Sequence, residues 1–233
     1  FRRVLFRSVF QTNGARDFYS KHLQKNCAII PNPILIDGEI PTIDYSNSPK
    51  TIVSMGRLEN KQKRLDVMIK AFAIFHSTYT DYSLHIYGNG KDDQMLLTLI
   101  SDFKLQDNVK LMGVSKKPLC DLCKEGIFII TSDYEGISNS LLEAMAVGLP
   151  VVSTDHSPGG ARLLITDHEN GLLAPMGNAE AVAAALGVYA KNPDLIKKCG
   201  QNAKRVLERF NVQKIIEEWN SYIQYVVQNY QKF

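Results

Sequence analysis

The sequence predicts an α/β fold in which helices cover both faces of a parallel sheet. From residue 50 onward, short apolar runs rich in β-branched residues alternate with stretches of helical periodicity, and Gly, Pro, Asp or Asn bound the runs. Strands that alternate with helices favour parallel pairing, right-handed crossovers and ligand binding beyond the carboxyl ends of the strands. The chain of 233 residues, 45% hydrophobic and 22% charged, has the composition of a globular protein.

Six strands are predicted after residue 50. They comprise residues 51–56, 83–88, 109–113, 127–132, 150–154 and 171–175. The clearest helix between them is RLDVMIKAFAIFHSTY, residues 64–79, because its large apolar side chains fall on one face: Leu65, Met68, Ile69, Phe72 and Phe75. Residues 178–227 predict consecutive helices with breaks at Asn192–Pro193 and near Asn211.

The amino-terminal region has a different pattern. Residues 9–34 predict a helix and a short strand that lead into Pro31-Asn32-Pro33, a rigid extended linker. The first eight residues, FRRVLFRS, carry three arginines and no pattern that continues beyond them, and they match the frame translation of a sequencing-adapter end. We expect residues 1–8 to be an assembly scar outside the fold. Without these arginines the formal net charge of +3 falls to zero, so no nucleic-acid partner is predicted.

Other features of the composition exclude further classes of protein. No apolar run approaches the ~20 residues that a membrane-spanning helix needs, and no charged-then-apolar signal peptide is visible. Four cysteines do not form a disulfide framework in a chain of this length. We therefore expect a reducing compartment, and a cytoplasmic location.

A basic cluster follows the first predicted strand, in MGRLENKQKR. A dinucleotide-binding fingerprint would place GxGxxG here, but only Gly56 is present. Arg57 at the strand end and Lys63 near the next helix could converge on one anion, because Arg grips phosphate oxygens as a fork and Lys adds a point charge. A solvated basic turn is the alternative. Gly88 and Gly90 in YGNG predict an ordinary tight turn.

Two carboxylates flank the polar turn that follows the fourth predicted strand, in YEGISNSLLEAM. Ser138 or Asn139 is a suitable helix cap, so the backbone N–H groups of Gly136 to Asn139 would form an anion site at a helix N-terminus. Glu135 precedes that terminus, and Glu143 lies within the apolar helix. Each carboxylate could accept hydrogen bonds from a pair of vicinal hydroxyls. Alternatively, Glu135 is a capping residue and Glu143 a core-edge residue, which leaves Glu143 without a partner.

A series of motifs over residues 50–190 resembles the retaining, sugar-nucleotide-dependent GT-B glycosyltransferases of the large family four. In chain order these are GRL followed by a lysine, YGNG, VKLMGV, TSDYEG, the E-x7-E element EGISNSLLE, EAMAVGLPVV and NGLLAP. The resemblance implies that residues 50–210 form the Rossmann-like, donor-binding C-terminal domain of a GT-B fold. Residues 9–49 would then be a remnant of the N-terminal domain with the interdomain linker, and residues 211–233 a helix that crosses to the missing domain.

The same resemblance implies roles for individual residues. Arg57 and Lys63 would hold the donor diphosphate and Glu135 would bind hydroxyls of the transferred sugar, which makes these three the catalytic positions. The backbone at Gly136 to Asn139 would meet the sugar and phosphate, and Glu143 the ribose. Gly113 and Val114 would lie against the nucleobase. The implied substrate-binding positions are Gly56, Gly113, Val114, Gly136, Ile137, Ser138, Asn139, Leu142 and Glu143.

The resemblance also implies the ligands. The donor would be a UDP- or GDP-sugar, bound without a metal or cofactor, and the acceptor a glycan or lipid-linked saccharide held by the missing N-terminal domain. Bacterial polysaccharide or glycoconjugate synthesis and peripheral membrane association of the intact protein would follow. One motif departs from the family pattern, because Arg162 and Leu163 in SPGGARLLI stand where many relatives have a glutamate.

Two other functions are consistent with parts of the sequence. A non-catalytic module that binds a nucleotide or sugar phosphate could use the same groove, and an upstream acceptor domain in the intact gene would argue against it. A nicotinamide-dependent oxidoreductase is disfavoured, because the GxGxxG fingerprint is missing and a basic cluster stands in its place.

Overall fold

The computed structural model describes residues 7–36 and 38–230. Its first elements are strand β1 (Ser8–Phe10), helices α1 (Asn13–Asp17) and α2 (Lys21–Lys25), and strand β2 (Cys27–Ile29). The two strands pair in parallel as a small separate sheet. The sequence predicted one helix and one short strand here, whereas the structure has two five-residue helices and an additional strand, β1.

The six predicted strands are confirmed, to within two residues at each end. They are β3 (Thr51–Met55), β4 (Ser83–Tyr87), β5 (Val109–Gly113), β6 (Ile127–Ile130), β7 (Val151–Thr154) and β8 (Leu172–Ala174). All neighbouring strands are parallel, in the spatial order β5-β4-β3-β6-β7-β8. The chain starts at the centre with β3, builds outward to β5, and then returns to the other side of β3. The loops after β3 and β6 therefore diverge and leave a crevice at the carboxyl edge, which is where ligands bind in such sheets.

Helices cover both faces of this sheet. They are α3 (Asn60–Lys63), α4 (Leu65–His76), α5 (Asp93–Asp102), α6 (Pro118–Leu122), α7 (Asn139–Val147), α8 (Gly160–Leu164), α9 (Ala179–Lys191), α10 (Pro193–Ala203), α11 (Val206–Arg209) and α12 (Val212–Tyr230). A 3-10 turn, Tyr45–Asn47, precedes β3. The expected fold class is confirmed: a parallel sheet between two layers of helices.

Each face of the sheet has its own hydrophobic core. Alternate residues of one strand point to opposite faces, so Ile52 belongs to the core beneath α4 and Val53 to the core beneath α7. The apolar face predicted for the first helix is buried, with Phe72 only 1% exposed. Full burial of such a side chain stabilises the fold by about 1.5–3 kcal/mol. These two cores hold the loops at the carboxyl edge on rigid supports.

The amino-terminal segment packs against the loops of the main sheet. The Thr12 hydroxyl donates to the carbonyl of Pro158 at 3.1 Å. Ser8, placed in the scar by the sequence analysis, lies in β1, because its N–H donates to the carbonyl of Asn26 and it pairs with Cys27. The expectation that this segment lies outside the fold is therefore wrong for Ser8 and also for Arg7, whose Nη1 donates to Asn26 Oδ1 at 3.2 Å, while its origin as an assembly scar stays a prediction. The remainder of that prediction, for residues 1–6, lies outside the described residues.

The last helix, α12, is amphipathic and leaves apolar side chains exposed. Ile216, Trp219, Ile223 and Val227 are between 40% and 53% exposed and recur at helical spacing. The Tyr222 hydroxyl donates to the carbonyl of Ser8 at 3.4 Å, so the helix also contacts the amino-terminal segment. Its predicted crossing to another domain stays a prediction. Among the described helices, none has both the length and the apolar composition needed to cross a bilayer.

Candidate functional site

An ion pair spans the crevice where the strand order reverses. Lys63 ends α3 on the β3 side, and Glu135 follows β6 on the other side. Lys63 Nζ lies 2.5 Å from Glu135 Oε1, and the two side chains are only 15% and 11% exposed. Both residues were predicted from the sequence as site positions, but their contact with each other was not.

Glu135 is held firmly, yet one of its oxygens remains available. The Ser132 hydroxyl donates to the same Oε1 at 2.9 Å, and the backbone N–H of Glu135 donates to the carbonyl of Ser157 at 2.8 Å. No described residue donates a hydrogen bond to Oε2. The carboxylate is thus fixed in direction and keeps an acceptor for a ligand hydroxyl.

The position of Lys63 depends on an unusual backbone conformation at the next residue. Arg64 adopts the left-handed region at φ 48°, which is disfavoured for a residue with a side chain. Its guanidinium binds Asp66 and Asp133, and these bonds, with Asp66 the larger cause, raise its pKa. The Thr131 hydroxyl donates to the carbonyls of Lys63 and Arg64 at 3.0 and 2.9 Å. The strained turn that carries Lys63 is therefore tied to the end of β6.

Arg57 lies near Lys63 but faces solvent. Its side chain is 71% exposed, its Nη2 donates to Gln62 Oε1 at 3.1 Å, and its Nη1 lies 3.8 Å from Glu59 Oε2. Arg57, Lys63 and Gly56 line one small cavity at the end of β3. The two cations thus share one edge of the sheet, while the joint binding of an anion by Arg57 and Lys63 stays a prediction.

The glycines of YGNG have a more specific role than the predicted ordinary turn. A Cβ on Gly88 would lie 1.8 Å from the carbonyl oxygen of Gly56, and one on Gly90 would lie 2.1 Å from that of Leu58. The Leu58 N–H donates to the carbonyl of Asn89 at 2.9 Å. Only glycine permits these two close approaches to the backbone of residues 56 and 58, and they fix the loop that carries Gly56 and Arg57.

The N-terminus of α7 lies beside the ion pair. Ser138 is the N-cap residue, as predicted, but its side chain caps no backbone N–H and instead lies 3.1 Å from the Ser140 hydroxyl. The N–H of Ile137 donates to the Gln11 side chain at 3.2 Å. Gln11 also lies 2.8 Å from where a Cβ on Gly136 would be. Sequence reasoning did not identify Gln11, which comes from the amino-terminal segment and caps part of the predicted anion site.

Glu143 faces a different part of the groove from Glu135. With Asn139, Leu142 and the linker residues 32–35 it lines a cavity of about 230 Å³. Burial raises the pKa of Glu143. Among residues 7–36 and 38–230, no side chain forms a hydrogen bond or ion pair with Glu143, so the core-edge alternative leaves its carboxylate unpartnered. A partly buried carboxylate without a protein partner is a common feature of binding sites.

The predicted nucleobase contacts lie at the end of β5, two strands from the ion pair. Gly113 has a φ of 71°, and its carbonyl accepts the N–H of Gly88 at 2.8 Å. Val114 is 64% exposed. Both residues lie on the same sheet edge as the ion pair, and their contact with a base stays a prediction.

A histidine at the end of β7 was also missed. His156 is 1% exposed, and neither ring nitrogen has a hydrogen-bond partner among the described residues. Arg162, in the motif that departs from the family pattern, forms an ion pair with Asp155. Both residues lie beside His156 in the wall of one cavity. The sequence signal was a polar run, TDHS, at a strand end, but no pattern there separates a ligand contact from a structural turn.

The described part of the chain contains no candidate metal centre. In the ranges 7–36 and 38–230, no three His, Cys, Asp or Glu side chains come together in a way that could hold an ion. The expectation of a metal-free donor site stays a prediction.

Known proteins resemble this chain in sequence and in structure. A transferase from Campylobacter jejuni, N-acetylgalactosamine-N,N'-diacetylbacillosaminyl-diphospho-undecaprenol 4-alpha-N-acetylgalactosaminyltransferase, is 33% identical over 201 residues, which are 85% of this chain and 54% of that protein. Poly(glycerol-phosphate) alpha-glucosyltransferase of Bacillus subtilis is 33% identical over 157 residues, 67% of this chain and 23% of that protein. The chain therefore spans about half the length of the Campylobacter jejuni relative and about a quarter of the Bacillus subtilis relative.

A solved glycosyltransferase structure also has the same fold as this chain. TarM of S. aureus, in complex with fondaparinux, alpha-GlcNAc-glycerol and UDP, superposes with a TM-score of 0.82 at 26% identity, over 92% of this chain and 43% of that one. The family model of the group 1 glycosyl transferases matches residues 41–206, which include every residue of the ion pair and of α7. The chain belongs to the group 1 glycosyltransferase family and has the GT-B type of fold.

Proposed function

We propose that this chain binds the nucleotide-diphosphate-sugar donor of a retaining glycosyltransferase. The observation that carries the proposal is the Lys63–Glu135 pair, which lies at the switch point of the sheet and beside the N-terminus of α7. It combines a cation for a diphosphate with a carboxylate for sugar hydroxyls at one place. The UDP in the TarM complex supports a uridine nucleotide as the carrier of the sugar in this chain's donor. A UDP- or GDP-sugar is the expected donor.

The diphosphate would lie between Arg57, Lys63 and the helix terminus. The Arg57 side chain is solvent-exposed, so it can turn toward a ligand and no buried carboxylate is left unpaired. Lys63 would exchange Glu135 for a phosphate oxygen. The amides from Gly136 to Asn139 would add hydrogen bonds at the positive end of α7. These groups stabilise negative charge on the leaving diphosphate, which is the main protein contribution to such a transfer.

The other parts of the donor would extend from the diphosphate along the sheet edge. Glu143 would accept hydrogen bonds from ribose hydroxyls in the cavity that it shares with Leu142. Glu135 would accept a sugar hydroxyl through its available Oε2. Gly113 and Val114 would lie against the base, where the lack of a side chain at Gly113 lets a flat ring approach the backbone.

The acceptor would be a glycan or a lipid-linked saccharide. The Campylobacter jejuni relative is named for a diphospho-undecaprenol acceptor and the Bacillus subtilis relative for poly(glycerol-phosphate), which supports a role in bacterial polysaccharide or glycoconjugate synthesis. Both names specify α linkages, which retention gives when the donor is α-linked. A lipid-linked acceptor would bring the intact protein to the cytoplasmic face of the membrane.

Thermal-shift screening tests the donor proposal directly. The chain is heated with UDP, GDP and their sugar conjugates, and with reduced nicotinamide adenine dinucleotide as the control for an oxidoreductase. We expect one nucleoside diphosphate to raise the melting temperature of the chain and the reduced nicotinamide adenine dinucleotide to leave it unchanged. Saturating ligand at a hundredfold its Kd should add about 2.7 kcal/mol of stability. Binding of the nicotinamide alone would contradict the proposal.

A transfer assay separates the enzyme from a mere binding module. Since closure between donor and acceptor domains supplies alignment worth ~7–11 kcal/mol of the barrier, we expect this chain alone to bind donor but transfer no sugar. A chain extended to the full length of its relatives should transfer it. If the extended chain binds the donor and still transfers nothing to any lipid or saccharide acceptor, the non-catalytic module is the better account.

A further inference from the structure

His156 is a buried side chain with an unusual lack of partners. It follows β7 in the loop that packs against the Glu135 loop, where the Ser157 N–H donates to the carbonyl of Asp133 at 3.1 Å. The ring is 1% exposed. Four buried side-chain atoms lack a hydrogen-bond partner in the described part of the chain, and two of them are Nδ1 and Nε2 of this one ring. Buried polar groups are nearly always paired, so such a residue calls for a functional explanation.

The surroundings of His156 connect it to a cavity and to the ion pair. It contributes to the wall of a cavity of about 510 Å³, within the range of about 300–1,000 Å³ typical of ligand sites. Thr12 and Asn13, from the amino-terminal segment, also line it. The charges of Glu135, Asp155 and Lys63 all act on the ring. The cavity thus adjoins the place where the proposed function puts the junction of diphosphate and sugar.

We infer that His156 hydrogen-bonds a hydroxyl of the transferred sugar and so takes part in selecting the donor. The inference rests on the proposed function and adds a sugar-recognition residue outside the E-x7-E element. Even after Lys63 has moved to the diphosphate, Glu135 offers one carboxylate that also accepts from Ser132, so it can bind only part of a hexose edge. His156 offers a second, independent contact for that sugar.

The chemistry of the ring favours a hydroxyl over a phosphate. Burial lowers the pKa of His156, although the charge of Glu135, a backbone contact with Ser157 outside hydrogen-bond geometry and the charge of Asp155 oppose the shift, so the neutral ring predominates at pH 7. A neutral imidazole has one N–H donor and one acceptor nitrogen. A hydroxyl can both donate and accept and therefore matches it, whereas a phosphate oxygen only accepts. The cations Arg57 and Lys63 are better suited to the phosphates.

Calorimetry on the full chain tests this inference with His156→Phe, which keeps a planar ring and removes both nitrogens. The ligands are the nucleoside diphosphate that the chain binds and its glucose, galactose, N-acetylglucosamine and N-acetylgalactosamine conjugates. We expect unchanged affinity for the plain nucleotide and an affinity about tenfold lower for the preferred conjugate, the loss expected for a hydrogen bond in a buried site. His156→Gln, which keeps a donor and an acceptor, should recover part of that affinity.

Stability and spectroscopy separate a ligand contact from a structural role. Replacing an unpaired polar ring by an apolar one should leave the melting temperature unchanged or higher. His76→Phe is the matched control, because His76 Nε2 is also buried and unpaired but lies at the end of α4, away from the cavity. In nitrogen-15 spectra the ring signals of His156 should shift with the sugar conjugate and not with the plain nucleotide.

The outcomes are distinguishable from one another. A conjugate affinity that His156→Phe leaves intact would overturn the inference, as would ring signals that no sugar conjugate moves. Equal losses for nucleotide and conjugate together with a lower melting temperature would assign the ring a structural role instead. If the unmutated chain binds no nucleoside diphosphate at all, the proposed function itself fails, and that result is obtained before any variant is made.

Discussion

Breaking the Lys63–Glu135 pair should destabilise the protein more than breaking an exposed pair. Since both side chains are nearly buried, Lys63→Met leaves an uncompensated carboxylate with only Ser132 as a partner. Loss of one member of a buried pair costs about 3 kcal/mol, near the lower end of the measured range. For a protein of this size that corresponds to a decrease in melting temperature of roughly 6–12 °C.

A double-mutant cycle tests whether the effect comes from the pair. Glu135→Gln alone should also destabilise the protein, because it leaves the ammonium of Lys63 without a counter-charge. The double variant leaves no buried charge, so its stability should exceed the additive expectation by at least about 1.5 kcal/mol, whereas independent sites add to within about 0.5 kcal/mol. The Lys70–Glu180 pair, at 3.0 Å with side chains 51% and 66% exposed, is the matched control. Its substitutions should change stability by less than about 1 kcal/mol.

Nucleotide binding by the same variants tests the proposed roles. Lys63→Met should weaken binding of the plain nucleoside diphosphate, because a charge-assisted bond to phosphate is lost. Glu135→Gln should not weaken it, because the substitution removes the carboxylate that competes with phosphate for Lys63. The sugar conjugate should lose affinity in both variants. Additive stabilities, or equal losses of plain nucleotide in the two variants, would refute this reasoning.

Three further predictions concern the groups around the pair. Arg57→Ala should weaken nucleoside-diphosphate binding by about 1.5–3 kcal/mol in calorimetry without changing the melting temperature, since the side chain is 71% exposed; unchanged affinity would remove Arg57 from the site. Burial raises the pKa of Glu143 above its ordinary 4.5, so the folded state loses stability progressively as pH rises from 4.5 to the raised pKa, and the full penalty is present above it. Glu143→Gln should therefore raise the melting temperature at about pH 8 but not at about pH 3.5, where the carboxyl is protonated in both states. The same variant should bind the plain nucleotide more weakly, and a gain in stability that is independent of pH would contradict the burial argument. Gln11→Ala frees the Ile137 amide and should raise donor affinity about two- to tenfold if the donor uses that amide; lower affinity would show that Gln11 itself contacts the donor.

The parts of this protein that depend on local pattern could be predicted from the sequence. The strands were recognisable because each is a short apolar run, and the first helix because Leu65, Met68 and Phe72 recur on one face. The candidate site residues at strand ends, such as Arg57 and Glu135, were proposed from the rule that ligands bind beyond the carboxyl ends of the strands. These predictions required only the order of elements along the chain.

Contacts between distant segments could not be predicted in the same way. Lys63 and Glu135 are 72 residues apart, and Gln11 and Ile137 are 126 apart. Nothing in the spacing of these residues indicates that they meet. The close approach at Gly88 was missed for the same reason, because the backbone that excludes a side chain there belongs to Gly56. His156 gave no signal because a lone histidine at a strand end is equally consistent with many roles.

The long-range pair has a consequence that neither residue implies alone. Without donor, Lys63 and Glu135 neutralise each other, so the site offers little net charge to a free sugar or to inorganic phosphate. A sugar nucleotide brings both complementary groups in one molecule: its diphosphate can take Lys63, and a hydroxyl of its sugar can replace the ammonium at Glu135. If the sugar or the nucleotide bound alone, one member of the Lys63–Glu135 pair would lose its partner. Because the two side chains are only 15% and 11% exposed, such an unpaired charge is costly. The sugar nucleotide should therefore bind with a more favourable free energy than the separate binding free energies of sugar and nucleotide, plus the ordinary advantage of linking them, would give. The double variant Lys63→Met with Glu135→Gln should abolish this excess binding free energy.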